Sequence, residues 1–593
     1  MLRQPWAVAA AAFVLAVYAA VLSVMPKGAF WSPDEGAKFI ELHSVHWRGG
    51  LRYAIAYGGQ HVDPEFAFYP SRCRFEDLYP VPLADGGVKF HWPVWFPLAS
   101  RLLVSAFGLT GLYVVPLLSG WLTALVAGHL MRAWVTRLVP LAILTVGLAT
   151  PIAFFSLTFW EHTLATLLGL AALALVAAGP RRGAVTPWLV APLLLTAAVL
   201  RIEMLLFGVA VACAWYAVYR WARPADAAAA MPGQARHRRF ILLGLAVAAA
   251  LVLLVADVIP ERHTWILTVL PSYLSGSVGK LPYLVETLTA VAADVPGNNA
   301  PVIPDLWRYG LLAACVAALC APLAGSRRRE ALALLAALAI LLEFSVYLVV
   351  RPEPYISLHG FLPIAPFIAL AGYALPQARR ERRPAQLAVA SAAVVYAVLA
   401  FAAIFVFLVR PDGLMPTGLE WGNRYLFTLY PLGTVLALAG LAECRRSERP
   451  PFLKQAITVA GAALLLCGVL LEARGVWMLV QSRRLVTAWQ TALRDGPPVV
   501  TDVWWLPAAM APLFVEHEVH CVRHGDLGRW FPIAQQRGVQ TFIFAGFRSL
   551  RPDQIDRSGV EVAVEGEQEV SGLRLTRLRV SPAGATAADA AAP

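Results

Sequence analysis

Residues 6–25 read WAVAAAAFVLAVYAAVLSVM, an apolar run that contains no charged side chain. A helix of about this length spans the hydrocarbon core of a bilayer, which is roughly 30 Å thick. Arg3 precedes the run, and no obvious small-residue cleavage site follows it. We therefore expect a retained membrane anchor rather than a removed signal peptide, with the N-terminus in the cytoplasm.

The composition extends this interpretation to the rest of the chain. Hydrophobic residues make up 59% and charged residues 15% of the 593 positions, and the mean hydropathy is +0.63. Soluble domains carry about 25% charged residues. The formal net charge of +12 does not indicate a nucleic-acid partner, because the arginines form short clusters between apolar runs, as in cytoplasmic loops.

Apolar runs long enough to span a membrane recur along the sequence. With residues 6–25 there are thirteen, the others at 111–131, 139–156, 160–178, 187–202, 204–220, 240–259, 307–324, 331–350, 361–376, 387–409, 425–442 and 456–473. We predict an all-α polytopic membrane protein with this set of spanning helices.

Positive charge falls on every second connection, which predicts the sidedness of the chain. Basic clusters occur at Arg132 and Arg137, Arg181 and Arg182, Arg220 to Arg239, Arg327 to Arg329, Arg379 to Arg383, and Arg445 to Lys454. The remaining connections are 26–110, tight turns near 157–160 and 201–203, 260–306, 351–360, 410–424 and the tail from 474. We expect them to lie outside the inner (plasma) membrane.

The tail differs from the apolar region. An apolar run from Val499 to Leu506, a second at 541–544 and an alternating pattern over 560–580 are typical of strands. We therefore expect a transmembrane domain over 1–475, in which 26–110 is a first outer loop with juxtamembrane helices. An extracytoplasmic α/β domain follows over 476–580, and the Ala-rich end, 581–593, is predicted to be disordered.

Two adjacent carboxylates follow the first span, in Trp31-Ser32-Pro33-Asp34-Glu35-Gly36, which opens a periodic stretch reaching about Tyr57. One interpretation is structural: Ser32 caps a helix, Glu35 completes a capping box, and Asp34 pairs with Lys38 four residues later. The other is functional, because a carboxylate held ionised at a helix N-terminus could accept a proton from a hydroxyl group or hold a divalent cation. Both interpretations remain open on spacing alone.

Two further charged sites interrupt apolar runs, at Glu161-His162 and at Arg201-Ile202-Glu203. Ionisable residues at membrane depth are costly and usually face a bundle interior or a watery cavity. They are candidate functional residues, although Arg201 and Glu203 could also simply satisfy one another. His162 could orient Glu161 or bind a metal ion.

Three short motifs, in this order, resemble the GT-C superfamily of membrane glycosyltransferases, which includes protein O-mannosyltransferases and lipid A aminoarabinose transferases. Pro33-Asp34-Glu35-Gly36-Ala37-Lys38-Phe39 follows the first span, where that family keeps an acidic catalytic motif. Lys89-Phe90-His91-Trp92-Pro93 precedes the second span, without the double proline of many members. Trp421-Gly422-Asn423-Arg424-Tyr425-Leu426, ending at Pro431, is similar to an Arg-Tyr-Leu segment of bacterial members. The resemblance covers roughly residues 1–475.

The resemblance implies a polyprenyl-phosphate sugar donor and an inverting transfer to a glycan, lipid or protein acceptor on the outer face. Asp34 would be the general base or a metal ligand, and Glu161 the second catalytic carboxylate. A divalent metal ion held by Asp34 and Glu161 is the one cofactor considered. The leaving phosphate needs cationic stabilisation, for which Lys89 and Arg351 are further candidates. The residues expected to bind substrate or phosphate are Glu35, Lys38, His91, His162, Arg201, Glu203 and Arg424.

Other interpretations remain open. The helix count suits a transporter or flippase of lipid-linked glycans, although two similar halves with broken helices are not visible. A non-catalytic scaffold that binds partners through its tail is the third possibility. Histidines in the first loop do not show the spacing of a recognised zinc site. Cys73 and Cys521 are the two cysteines expected outside the membrane, where an oxidising compartment would permit a disulfide bond.

Overall fold

The computed structural model describes residues 4–49, 52–69, 81–82, 88–90, 94–178, 185–221, 291–295, 298–301, 305–324, 326–351, 356–358, 360–403, 421–446, 448–523, 527–550 and 560–581. The predicted span at 240–259, the predicted disorder beyond 581, and the side chains of His91 and Cys73 lie outside the described residues.

Within this part of the chain, six helical segments are long and apolar enough to cross a membrane: Pro5–Val24, Trp95–Met131, Met204–Trp221, Arg327–Val350, Pro384–Ala403 and Pro451–Leu493. Four shorter apolar helices accompany them, at Thr136–Leu148, His162–Ala177, Trp188–Leu200 and Trp307–Leu323. The chain is thus a multi-pass membrane protein, whereas the predicted total of thirteen spans is not confirmed.

Proline interrupts two of the predicted spans. Within 139–156, a helix over Val139–Leu148 ends before Pro151, and a short helix, Ile152–Phe155, follows. Within 361–376, Pro366 begins a 3₁₀ helix that continues to Tyr373. Proline lacks the N–H that continues an α-helix and disfavours the helical conformation of the residue before it, so neither apolar run forms one continuous helix.

The chain divides into two compact units. The first, here called the membrane unit, consists of Met1–Ser23 and Tyr113–Met478, and the second, the loop–tail unit, consists of Val24–Leu112 and Leu479–Pro593. The first outer loop therefore belongs to the same compact unit as the tail. The predicted boundary between a membrane domain and a tail domain near residue 475 remains a prediction.

The membrane unit is a bundle whose helices approach closely through small residues. A Cβ on Gly440 would lie 2.2 Å from the carbonyl oxygen of Leu370, and one on Gly372 would lie 2.2 Å from that of Leu319. Such close backbone approach is typical of helix packing in membranes. The further α-helices described for the membrane unit are Val185–Leu200, Asp305–Cys320, Phe361–Ile364, Ala374–Glu381 and Leu429–Arg446. The unit also contains a three-stranded antiparallel sheet of Val291–Val295, Asn298–Pro301 and Ile356–Leu358.

The loop–tail unit confirms the predicted sheet domain. Its strand Val499–Thr501 pairs in parallel with Val519–Cys521 and with the central strand, Thr541–Gly546. The antiparallel strands Leu573–Ser581 and Glu561–Val570 complete the five-stranded sheet. Its helices are Pro33–Ser44, Trp95–Phe107, Leu506–Ala509, Ala511–Glu516 and Leu527–Gln536.

The core of this unit contains residues from both parts of the chain. Val62 and Phe68 of the first loop are buried together with Trp530, Phe531 and Phe542 of the tail. Apolar burial therefore ties the loop to the sheet, a connection that apolar periodicity along the chain does not reveal.

The first-loop helix is shorter than predicted. The periodic stretch to Tyr57 was expected to be helical, but the helix Pro33–Ser44 is followed by the paired strands Val45–Gly49 and Arg52–Ile55. Alternating β-branched and aromatic residues around two glycines favour this hairpin over a longer helix. The strands join Val88–Lys89 and Val81–Pro82 in a four-stranded sheet.

Candidate active site

Four ionisable residues from three separate sequence motifs come together in the membrane unit; we call Glu161, Arg201, Glu203 and Arg424 the charged cluster. Glu161 is the N-cap residue of His162–Ala177, but its side chain makes no capping hydrogen bond. Arg201 and Glu203 lie in the turn between two apolar helices. Each residue thus stands at a helix end, where the backbone leaves the apolar bundle.

Arg201 is at the centre of the charged cluster. Its Nη1 atom lies 3.3 Å from Oε1 of Glu161, and its Nε donates to Oε1 of Glu203 at 2.6 Å. The Arg201 side chain is 12% exposed and that of Glu161 2%. Burial opposes the charge of Arg201, and the two carboxylates in contact with the guanidinium compensate for its lost hydration.

Arg424 brings a second guanidinium to the cluster, close enough for its positive charge to oppose that of Arg201. It opens a 3₁₀ turn, Arg424–Leu426, whose cap is Asn423: the side-chain oxygen of Asn423 accepts from the backbone N–H groups of Tyr425 and Leu426. Arg424 also donates to the hydroxyl of Tyr425 at 3.3 Å. The sequence motif thus forms a capped turn that carries the arginine.

The backbone before Arg424 is held in one conformation. Gly422 has a φ of +76°, and a Cβ there would lie 2.5 Å from Pro151. The hydroxyl of Tyr430 accepts a hydrogen bond from the backbone N–H of Asn423 at 3.2 Å. Only glycine readily adopts this φ in such a crowded position, so the glycine of the motif serves the geometry of the turn.

His162 lies among aromatic rings. The side chain is 3% exposed, with ring centroids 5.0 Å from Phe155, 5.0 Å from Trp160 and 5.8 Å from Phe427. These contacts favour packing for His162, and its predicted role in substrate binding remains a prediction.

Asp34 lies in the loop–tail unit, in the first turn of Pro33–Ser44, and is partly exposed. Ser32 caps this helix by accepting a hydrogen bond from the N–H of Glu35 at 3.3 Å, as the capping interpretation predicts. The helix N-terminus stabilises the ionised form of Asp34. The predicted pairing of Asp34 with Lys38 remains a prediction.

Glu35 has a structural environment that differs from its neighbour's. One carboxylate oxygen contacts Nη2 of Arg483 at 2.8 Å, and the other accepts from the backbone N–H of Trp31 at 2.8 Å. Both side chains of the ion pair are 0% exposed. The structure therefore supports the capping interpretation for Glu35, and its predicted contact with substrate remains a prediction.

The same helix buries two further charged residues, Lys38 at 1% and Glu41 at 0% exposure. Glu41 accepts from the hydroxyl of Tyr53 at 3.4 Å. Burial, and the nearby carboxylate of Glu41, raise the pKa of Tyr53 well above its ordinary value, so this phenol stays protonated and can donate. Lys38 lies buried inside the unit, one helical turn from Asp34.

The described residues contain no group of three or more histidine, cysteine, aspartate or glutamate side chains that could hold a metal ion. Asp34 and Glu161, the predicted metal ligands, belong to different units. First-loop residues considered for zinc have other contacts: His61 lies 3.5 Å from Glu518, and Asp63 accepts from two backbone N–H groups. Cys521 forms a disulfide bond, while its predicted partner, Cys73, lies outside the described residues.

Sequence reasoning does not identify several of the buried ionisable residues, among them Arg483 and Glu472. Arg483 follows the last predicted span and lies 448 positions from Glu35, so no local pattern marks it. Glu472, 1% exposed, interrupts the thirteenth apolar run. A lone carboxylate within an apolar run is itself a signal of function, and this signal could have identified Glu472.

Comparisons with known proteins complete the description. Neither a protein-family model nor a curated protein matches the chain. Among solved structures, ArnT from Cupriavidus metallidurans in the apo state is 13% identical, with 97% of this chain and 98% of that chain covered and a TM-score of 0.46. The same protein bound to undecaprenyl phosphate is 12% identical, with coverages of 95% and 97% and a TM-score of 0.44.

The archaeal oligosaccharyltransferase AglB from Archaeoglobus fulgidus, in complex with an inhibitory peptide and a dolichol-phosphate, is 11% identical, with 92% of this chain and 70% of that chain covered and a TM-score of 0.44. At these identities and TM-scores, the chemistry of this chain has to be inferred from its own residues.

Proposed function

We propose that this chain is a membrane glycosyltransferase that moves a sugar from a polyprenyl-phosphate donor to a glycan, lipid or protein acceptor. The observation that carries the proposal is the charged cluster, in which residues of three distant motifs meet at the helix ends of an apolar bundle. Ionisable residues at membrane depth are rare, usually face the bundle interior or a water-filled cavity, and mark substrate or ion pathways. The cluster suits the anionic head of a lipid donor.

The cations of the cluster are matched to a phosphate group. Guanidinium groups bind phosphate oxygens with two parallel hydrogen bonds, and such charge-assisted bonds are about twice as strong as neutral ones. Glu161 and Glu203 contact Arg201 and hold it in place. Arg424, which the capped turn of the third motif carries, is the residue proposed to bind the donor phosphate.

Asp34 is the proposed general base. It takes a proton from the acceptor hydroxyl while that oxygen attacks the anomeric carbon of the donor sugar. The bond between the anomeric carbon and the phosphate oxygen breaks, and the electron pair leaves with the polyprenyl phosphate. The configuration at the anomeric carbon inverts.

Replacement of Asp34 tests this proposal. Asp34→Asn keeps the size of the side chain but removes the base, and we expect transfer to fall by about 10²–10⁴-fold. The measurement is the formation of labelled product in membranes that contain the full chain and are supplied with radiolabelled undecaprenyl-phosphate hexoses and pentoses. Asp495→Asn, an exposed carboxylate in the same unit, is the matched control, and we expect it to keep full activity.

Full transfer activity in Asp34→Asn, at equal amounts of inserted protein, would show that the assignment is wrong. Movement of the lipid-linked sugar across the membrane of proteoliposomes, without any glycosyl product, would instead favour a transporter.

A further inference from the structure

The charged cluster leaves one buried carboxylate of the membrane unit unexplained. Glu472 lies in the long helix Pro451–Leu493 and is 1% exposed. Its Oε1 accepts a hydrogen bond from the indole Nε1 of Trp421 at 3.0 Å. A buried indole N–H needs an acceptor, but an amide or hydroxyl group would satisfy it at lower cost than a carboxylate at membrane depth. A carboxylate at position 472 is therefore unusual.

A second residue of the same helix shapes the site of Trp421. Gly475 follows Glu472 by one helical turn, and a Cβ at this position would lie 2.3 Å from the Trp421 indole. The indole thus rests directly against the helix backbone at Gly475 while Glu472 accepts its N–H. Phe154 stacks on the Trp421 ring, with a centroid distance of 5.8 Å and an interplanar angle of 20°. Trp421, 0% exposed, is held in one orientation from several directions.

Trp421 is the first residue of the segment that carries Arg424. Between them lie Gly422, with its left-handed backbone, and Asn423, which caps the turn. Because both intervening residues have fixed conformations, the orientation of the Trp421 ring determines where the turn begins, and a shift of the ring moves the turn. No residue of the charged cluster belongs to the helix that bears Glu472.

We propose that Glu472 is a positioning residue for donor binding: through its hydrogen bond to Trp421 it places the turn that presents Arg424 to the donor phosphate. The inference rests on the proposed function, because it takes Arg424 to be the phosphate-binding residue. The helix that accepts the indole N–H at Glu472 also seats the ring at Gly475, so one element fixes the Trp421 side chain.

The experiment measures the equilibrium dissociation constant of radiolabelled undecaprenyl phosphate for the purified full chain in detergent. Glu472→Met removes the acceptor while keeping an apolar side chain of similar length, and we expect the dissociation constant to rise about five- to tenfold. Trp421→Phe keeps a ring but removes the N–H, and should have a similar effect. Glu472→Gln restores an acceptor oxygen and is expected to recover most of the lost affinity.

A double-mutant cycle separates this role from general stabilisation. If Glu472 acts through Trp421, the double variant Glu472→Met/Trp421→Phe binds no more weakly than either single variant. Additive losses of affinity, or a fall in melting temperature with an unchanged dissociation constant, would overturn the inference. If Glu472→Met does not accumulate, Gly475→Ala displaces the same indole, and Gly310→Ala, which adds its methyl group in open space, is the matched control.

Arg424→Gln distinguishes failure of this inference from failure of the proposed function. We expect Arg424→Gln to weaken binding at least about tenfold, as loss of a charge-assisted contact predicts. If Arg424→Gln leaves binding unchanged, the phosphate-binding role fails. If Arg424→Gln weakens binding but Glu472→Met and Trp421→Phe do not, the positioning role of Glu472 alone is wrong.

Discussion

Two neighbouring carboxylates, Asp34 and Glu35, show how much a single position matters at a helix N-terminus. Successive residues of a helix point in different directions. Glu35 therefore points into the loop–tail unit and meets Arg483, whereas Asp34 is partly exposed. The same turn thus places one carboxylate in a buried ion pair and leaves its neighbour partly exposed.

The ion pair of Glu35 and Arg483 gives a prediction at this scale. Removing one partner of a fully buried pair leaves a charge in a low-dielectric environment, which typically costs about 3–5 kcal/mol. We expect Arg483→Met to lower the melting temperature of the purified full chain clearly, and the double variant with Glu35→Gln to recover part of the loss.

Arg484→Met is the control for this prediction, because Arg484 is the next residue in the same helix and is exposed. It should melt like the parent chain. Equal melting temperatures for Arg483→Met and Arg484→Met would contradict the structural role assigned to the pair.

At the scale of the element, the position of Pro33–Ser44 depends on a glycine. A Cβ on Gly36 would lie 1.7 Å from the carbonyl oxygen of Ala508, in the short helix Leu506–Ala509. This distance is far below any van der Waals contact, and the atom concerned is backbone, which cannot rotate away. The first-loop helix and the tail therefore pack backbone against backbone at this point.

We predict that Gly36→Ala destabilises the protein. Alanine favours a helix by about 1 kcal/mol over glycine, but overpacking typically costs about 1–3 kcal/mol, and displacement of a backbone carbonyl puts this site at the upper end. Gly566→Ala, where a Cβ meets no atom within 4 Å, is the matched control in the same unit. Thermal unfolding of both variants provides the measurement, and a melting temperature for Gly36→Ala at or above that of Gly566→Ala would refute the close approach.

At the scale of the whole molecule, the distribution of arginines predicts sidedness. The basic connections are expected in the cytoplasm and the tail outside the inner membrane. Gln568→Cys and Arg446→Cys each place a thiol at an exposed position, the first in the tail and the second in a basic connection. A membrane-impermeant maleimide applied to spheroplasts is expected to label Gln568→Cys and to leave Arg446→Cys unlabelled until the cells are lysed.

The parent chain supplies the background for this labelling, since its native cysteines are present in both variants. Labelling of Arg446→Cys, but not of Gln568→Cys, in intact spheroplasts would reverse the predicted topology.

Local features of the fold were predictable, and long-range ones were not. The cost of charge in a bilayer makes Glu161, Arg201 and Glu203 stand out within apolar runs, and the ion pairs of Arg201 agree with that signal. The interruption at Pro151 follows from the chemistry of proline and could have been read from the sequence. In contrast, no local pattern pairs Glu35 with Arg483, because contacts between distant segments depend on how the whole chain packs.

The shared core of the loop–tail unit has a consequence for synthesis. Glu35 leaves the ribosome 448 positions before Arg483, a delay of roughly 20–90 s at about 5–20 residues per second. During this interval Val62 and Phe68 have no tail against which to pack. A nascent chain that stalls after its last membrane span would therefore display an unfinished apolar surface, which quality-control proteases could recognise. Folding of the loop–tail unit therefore requires that the chain has been made at least as far as Val580.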